Sequence, residues 1–115
     1  MLDGMASEIA TKLLFYGLIA LAVVLEVFSD VLFKKWAIDS KNVFLYVGLL
    51  IYFVGTIFWA FSLRYEYLSK AISIFTILNL IIVVLVGVLY FKEDLSLINK
   101  VGIALGILSV ILIEI

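Results

Sequence analysis

The sequence predicts an all-α, polytopic membrane protein with four transmembrane helices. Two properties of the composition indicate this class. Hydrophobic residues make up 67% of the 115 residues, and the mean hydropathy is +1.35, which lies outside the range of a soluble domain. A helix needs about 20 apolar residues to cross the hydrocarbon core. A chain of this length therefore has room for roughly four crossings and for no separate soluble domain.

Four apolar runs define spans within a single domain, residues 1–115. The polar segment MLDGMASEIATK should form an interfacial lead-in to the first span, 13–33, and the connection KKWAIDSKN should separate that span from an aromatic-rich second one, 43–63. The third run, 71–91, is rich in β-branched residues, but backbone polar groups in hydrocarbon must bond within their own segment, so a helix is predicted there. The connection KEDLSLINK leads into the last span, 98–115.

The composition also excludes several classes of function. The chain has no Cys and no His, which removes thiol nucleophiles, imidazole chemistry and most transition-metal sites. We therefore expect no enzyme, no metal site and no cofactor other than protons as a coupling ion. A net charge of -1 without a basic stripe argues against a nucleic-acid partner.

The first apolar run is too long for a signal peptide and lacks a basic segment before it, so we expect a multi-pass protein of the cell membrane, the inner one in a bacterium. Lysine and arginine divide 3 to 5 between the two sides of the predicted topology. This weak bias favours a cytoplasmic location for the first and third connections and leaves dual insertion open.

One carboxylate, Glu26, interrupts the first span. An ionisable group near the bilayer centre costs about 2.5–3.5 kcal/mol, so such groups usually face the interior of a bundle and mark an ion or substrate path. The basic residues lie mostly near predicted span boundaries, so none is an obvious permanent partner. Hydrocarbon disfavours a charged carboxylate. Glu26 is thus either a proton-exchanging site or a structural carboxyl held between helices.

Residues three and four positions from Glu26 share its helical face. Ala22 and Ser29 are small enough to let a ligand or another helix approach, and Asp30 adds a second acid. Asp30 has two interpretations. It either helps to bind substrates with more than one positive charge, such as polyamines, or forms an interfacial ion pair with Lys34 at i+4.

Four helices provide too little wall to enclose a substrate path around Glu26, so we expect a homodimer in which two copies of this acid converge. Gly102, Gly106 and Ser109 are small residues at helical spacing, the pattern that lets membrane helices pack closely. They predict either a dimer seam or a contact within one subunit.

Three stretches together resemble a known family. They are LIALAVVLEVFSDVLFKK, in which Lys34 follows the glutamate by eight residues, GLLIYFVGTIFWAFSLRYEYLSKAI in the second span, and YFKEDLSLINKVGIALGILSVILI at the end. Over nearly its whole length the chain resembles the small multidrug resistance family of the drug/metabolite transporter superfamily. The resemblance implies that Glu26 binds protons and cationic substrates alternately, that the third span helps to gate access, and that the last span dimerises through Gly102 and Ser109.

The third span departs from the pattern of the drug exporters in that family. They usually carry a Tyr and a Trp near its start and a Gly-x-Gly bend after them, where this chain has Ser73 and Thr76, then Leu78-Asn79-Leu80. Asn79 either bonds another helix or lines the path. Other aromatic side chains are candidates for a cation-binding face, or else pack or face lipid: Phe53, Trp59 and Phe75.

The leading hypothesis is therefore a proton-coupled antiporter that exports small organic cations as a dimer. The alternative is a lipid-linked sugar flippase-type or non-transporting four-span subunit of the same superfamily, favoured by the missing aromatic pair and by Asn79. A passive ion channel is a weaker third interpretation, since no ring of selective ligands is evident.

Overall fold

A computed structural model describes residues 2–115 of the protein, with the side chains of residues 4–113 and 115. The described chain is built from helices and contains no strand. The bounds are α1 Leu2–Asp39, α2 Asn42–Ser62, α3 Leu68–Leu89 and α4 Leu97–Glu114. The prediction of an all-α chain with four helices is confirmed, and the β-branched third run is helical.

Helix α1 is longer than the first predicted span at both ends. The expected lead-in and most of the first connection continue the same helix, because neither contains a proline and both are rich in Ala, Glu, Lys and other good helix formers. At about 1.5 Å per residue its 38 residues extend roughly 57 Å. The helix ends where Ser40 takes a left-handed φ of 59° and donates its N–H to the Trp36 carbonyl at 2.7 Å, an αL cap.

Three of the helices, α1, α2 and α3, are long and apolar enough to cross a membrane, judged by length and composition across the described residues. The fourth apolar stretch, Leu97–Ile113, is shorter. Together with the composition, these helices identify an integral membrane protein.

Helices α1 and α2 pack closely because α2 presents small residues to α1. The buried residues of α2 are Gly48, Gly55 and Ser62, which recur every seven positions. A Cβ at Gly55 would lie 3.1 Å from the Leu25 Cβ, and one at Gly48 would lie 2.8 Å from the Phe33 ring. Small residues at such spacing let membrane helices approach and hold one face toward the partner.

The hydrophobic core lies where α1 meets the N-terminal half of α3. Phe15, Ile19, Val23 and Val27 of α1 are buried together with Ala71 and Ile74 of α3, and Trp59 of α2 packs against the cluster. Helix α4 packs chiefly on α3, where a Cβ at Gly106 would lie 3.2 Å from the Ile77 δ1 methyl group. Helix α1, which carries Glu26, is therefore the helix that contacts both α2 and α3.

Candidate functional site

Glu26 lies on the inner face of α1. The residues one turn away on its face, Ala22, Val23 and Ser29, are buried, whereas Leu21, Val24 and Phe28 on the other side of the helix are exposed. Glu26 itself is half-buried. Glu26 thus lies at the edge of the buried face of α1, and its side chain stays partly accessible.

The partner of Glu26 is a tyrosine of α2. The Tyr52 side chain lies near the Glu26 carboxyl, within the range of an electrostatic interaction between their polar groups. The ion pairs within the described part of the chain are Lys34–Glu93 and Lys70–Glu66, so neither a lysine nor an arginine is fixed against Glu26. Close packing of α1 against α2 at Gly55 brings Tyr52 and Glu26 together, because a Cβ added at Gly55 would lie 3.7 Å from the Glu26 backbone nitrogen.

Asp30 lies one turn beyond Glu26, near enough for the two carboxylates to repel each other. It is half-buried and lines a cavity between α1 and α3. The ion pair with Lys34 that the sequence allowed does not form, because Lys34 pairs with Glu93 at 3.8 Å. Among the described residues no three acidic, His or Cys side chains are grouped to hold a metal ion.

The small residues on this face have different roles. Ser29 is fully buried, and its hydroxyl donates to the Leu25 carbonyl at 3.0 Å, which satisfies the group within the helix. Ala22 is fully buried, and its carbonyl oxygen would lie 3.5 Å from a Cβ at Gly55. Both residues contribute to the close contact of α1 with neighbouring helices.

The aromatic candidates separate into two environments. Trp59 and Phe75 pack together with ring centroids 4.8 Å apart and join the core cluster. Phe53 is 64% exposed on α2. The structure therefore joins Trp59 with Phe75 inside the α1–α3 unit and keeps Phe53 apart from them.

The polar residues of α3 also divide. Ser73 and Thr76 line a groove shared with Ser109 of α4, away from Glu26, and the Ser73 hydroxyl donates to the Ser69 carbonyl at 2.7 Å. Asn79 shares a face with the core-packing residues Phe75 and Ile82. Its side-chain oxygen is buried without a hydrogen-bond partner.

The residues of the expected dimer seam do not act as one surface in the subunit. Gly106 contacts Ile77 and Leu80 of α3, whereas a Cβ added at Gly102 would have no neighbour within 4 Å. Ser109 is exposed and donates its hydroxyl to the Leu105 carbonyl at 2.9 Å. A second copy would find Gly102 and Ser109 uncovered.

Sequence reasoning missed two contributors to the site. The sequence presents Tyr52 only as one of several aromatics of the second span, since a partner across two helices depends on their register. The spacing of Gly48, Gly55 and Ser62 was a signal that could have found the α1–α2 contact, because seven-residue recurrence of small residues predicts a close helix pair.

The comparisons with known proteins agree with this architecture at the level of the family. Neither the curated proteins nor the solved structures gave a significant match. The family model described as the EamA-like transporter family matches residues 5–115, nearly the whole chain. Its members are membrane transporters of the drug/metabolite transporter superfamily. The chain thus belongs to the EamA-like transporter family.

Proposed function

We propose that this chain is a proton-coupled antiporter that exports small organic cations and works as a homodimer. Glu26 binds either protons or the cation, and because the two exclude each other, cation binding on one side of the membrane releases protons there. The coupling ion is the proton, and no other cofactor takes part.

The observation that supports the proposal best is the environment of Glu26. Its side chain lies on the inner face of α1, half-buried, with a neutral hydroxyl, Tyr52, as its partner. A carboxylate fixed to a lysine or arginine would stay charged and occupied. A carboxylate beside a tyrosine hydroxyl keeps a hydrogen bond in its charged state and remains free to take up a proton or a cation.

The dimer is supported by the small size of the subunit and by the surface of α4. Glu26 is only half-buried in one subunit, and α4 packs chiefly on α3. Gly102 is open, so a helix of a second copy can approach the α4 backbone there.

The substrate class follows from the acids. Glu26 and Asp30 lie one turn apart and together suit a positively charged organic molecule, including a polyamine whose two charges span both carboxylates. A series of amines with one, two or three charges, compared in the wild type and in Asp30→Asn, tests this. The variant should lose the preference for multiply charged amines and keep binding of singly charged ones at Glu26. An unchanged preference would exclude Asp30 from the polyamine site.

Transport in proteoliposomes tests the proposal as a whole. A pH gradient should drive uphill movement of a radiolabelled organic cation in the wild type, and Glu26→Gln should abolish the uphill component. Glu8→Gln is the matched control, since Glu8 lies on the same helix but is exposed near its N-terminus. Uphill transport that survives in Glu26→Gln would refute the role of Glu26.

One observation favours a second function, a lipid-linked sugar flippase-type or non-transporting subunit. The side-chain oxygen of Asn79 is buried without a partner inside the α1–α3 unit, as expected of a group awaiting a hydroxyl-rich ligand or another subunit. If the chain has this second function, the purified wild-type protein should bind no organic cation and should show no uphill transport.

A further inference from the structure

A cavity of about 230 Å³ lies between α1 and the C-terminal end of α3. Its walls are apolar, formed by side chains such as Val27, Val31, Val86 and Phe91. Three charged side chains line it as well, Asp30, Lys34 and Glu93. The cavity begins one helical turn beyond Glu26, toward the end of α1 at which the charged connections lie.

The two acids of the cavity are not equivalent. Glu93 pairs with Lys34 at 3.8 Å, and both side chains are about half-exposed, at 50% and 47%. Asp30 is half-buried and has no ion-pair partner among the described residues. Lys34 is four residues from Asp30 on the same helical face. A lysine that can reach either acid is therefore held at the outer one.

A specific turn brings Glu93 to this position. Lys92 takes a left-handed φ of 55°, and the Glu93 N–H donates to the Gly87 carbonyl at 3.0 Å. The chain thereby folds back over the end of α3, and the Glu93 carboxylate rests against Gly87, where a Cβ would collide with it. Both the turn and the glycine serve to place this one carboxylate beside Lys34.

We propose that this cavity is a second binding site for a small organic cation, with Asp30 as the carboxylate that binds it, and that Glu93 keeps the site free by holding Lys34 away. Asp30 supplies the negative charge, and the valines and Phe91 accommodate the apolar part of an ammonium ion. Exposed ion pairs are weak, in the range of about 0–1 kcal/mol, so Lys34 exchanges readily between Glu93 and Asp30. Lys34 is then a tethered competitor of the cation, and the Glu93 carboxylate limits the time that Lys34 spends at Asp30.

This inference rests on the proposed function for the identity of the cargo, but its test does not require transport. The chain has no Cys, so Val31→Cys places a single thiol in the cavity wall. The thiol is labelled with two methanethiosulfonate reagents of similar size, one carrying a trimethylammonium group and one carrying a sulfonate. The ratio of the two labelling rates measures the preference of the cavity for a cation. Because both reagents react with the same thiol, differences in the accessibility of that thiol between variants cancel in the ratio.

The Val31→Cys protein should react faster with the trimethylammonium reagent. Adding Asp30→Asn should lower the rate ratio by about 25-fold, because one unit charge at ion-pair distance in water changes each rate by about fivefold and the two reagents respond in opposite directions. Adding Glu93→Gln should lower the ratio as well, because Lys34 then moves to Asp30, whereas Lys34→Gln should raise it. Asp94→Asn, which removes the neighbouring exposed acid, is the matched control and should leave the ratio near that of the parent.

Tetramethylammonium provides the direct test of binding. It should slow labelling of Val31→Cys by the sulfonate reagent and give no protection in the variant that also carries Asp30→Asn. A rate ratio unaffected by Asp30→Asn, or a Glu93→Gln effect equal to that of Asp94→Asn, would overturn the proposal. Since labelling proceeds without transport, these results stay distinct from a failure of Glu26→Gln to abolish coupling.

Discussion

The two helical pairs of the molecule are packed in different ways. In α1–α2, three small residues of α2 are buried at seven-residue intervals, Gly48, Gly55 and Ser62, and the first two lie directly against α1. In α3–α4, contact depends on Gly106, and none of the described side chains of α4 is buried. One pair is a closely fitted unit, and the other leaves most of its second helix uncovered.

This difference in packing indicates that the two helical pairs have different roles. Glu26 and Tyr52 face each other across the close pair, so their geometry is fixed by backbone approach at Gly55. Helix α4 contributes little to that geometry, and its free surface suits assembly with another copy. Substitutions in the two pairs should therefore have different effects on folding, on cation binding and on association.

The largest effect is expected for Gly55→Leu. A side chain there meets the Leu25 Cβ at 3.1 Å and the Ala22 carbonyl at 3.5 Å, positions that move only with the helix. Overpacking of this kind costs about 3 kcal/mol, measured as the free energy of unfolding in detergent. Gly17→Leu is the control, since nothing lies within 4 Å of its Cβ position. Equal stability of the two variants would contradict the close contact of α1 with α2.

Phe75→Ala should be the next most damaging. It removes a ring that packs 4.8 Å from the Trp59 ring, centroid to centroid, at the edge of the core, and we expect a loss of about 2 kcal/mol. Phe53→Ala deletes an equally large ring that is 64% exposed and should change stability by less than about 0.5 kcal/mol. A larger loss of stability in Phe53→Ala than in Phe75→Ala would contradict the position of the core described above.

Gly106→Leu and Gly102→Leu sharpen the comparison within α4. At Gly106 the nearest atom is a flexible Ile77 methyl group at 3.2 Å, so we expect a cost of only about 1 kcal/mol. At Gly102 the subunit offers no obstacle, and unfolding of the monomer should be unaffected. Sedimentation in detergent should instead show that Gly102→Leu shifts the dimer toward monomer. A dimer as stable as that of the wild type would exclude Gly102 from the seam.

Asn79→Leu should have the smallest effect on stability. The buried side-chain oxygen has no hydrogen-bond partner, so replacing the amide with an apolar group of similar size should be neutral or stabilising by up to about 1 kcal/mol. Titration with an organic cation gives the second readout. Unchanged affinity would assign Asn79 to packing alone, and weakened affinity with intact stability would place it on the substrate path.

Much of the fold was predictable because lipid imposes strong rules. Hydrophobic run lengths gave four helices, and the requirement for internal backbone bonding made the third run helical despite its β-branched residues. The length of α1 was not predictable from hydropathy, because its polar first turns are helical for reasons of propensity and not of burial. Hydropathy indicates where a helix crosses the membrane but says little about the residues at which the helix begins and ends.

The candidate site was predictable only in part for a related reason. The cost of a charge in hydrocarbon identified Glu26 from one position alone. Tyr52 and Glu93 could not be found in this way, since each reaches the site through a register between helices or through a turn at Lys92. Ser73 and Thr76, predicted from alignment with a family pattern, lie on the α4 side of α3, a direction that sequence position does not specify.

The central claim is that Glu26 exchanges protons for a cation, and proton release measures this directly. Purified wild-type protein in weakly buffered detergent should acidify the solution when an organic cation is added, and its apparent affinity should rise with pH because fewer protons compete. Glu26→Gln should release no protons under the same conditions, and Glu8→Gln should match the wild type. Cation binding by the wild type without proton release, or release that persists in Glu26→Gln, would contradict the claim.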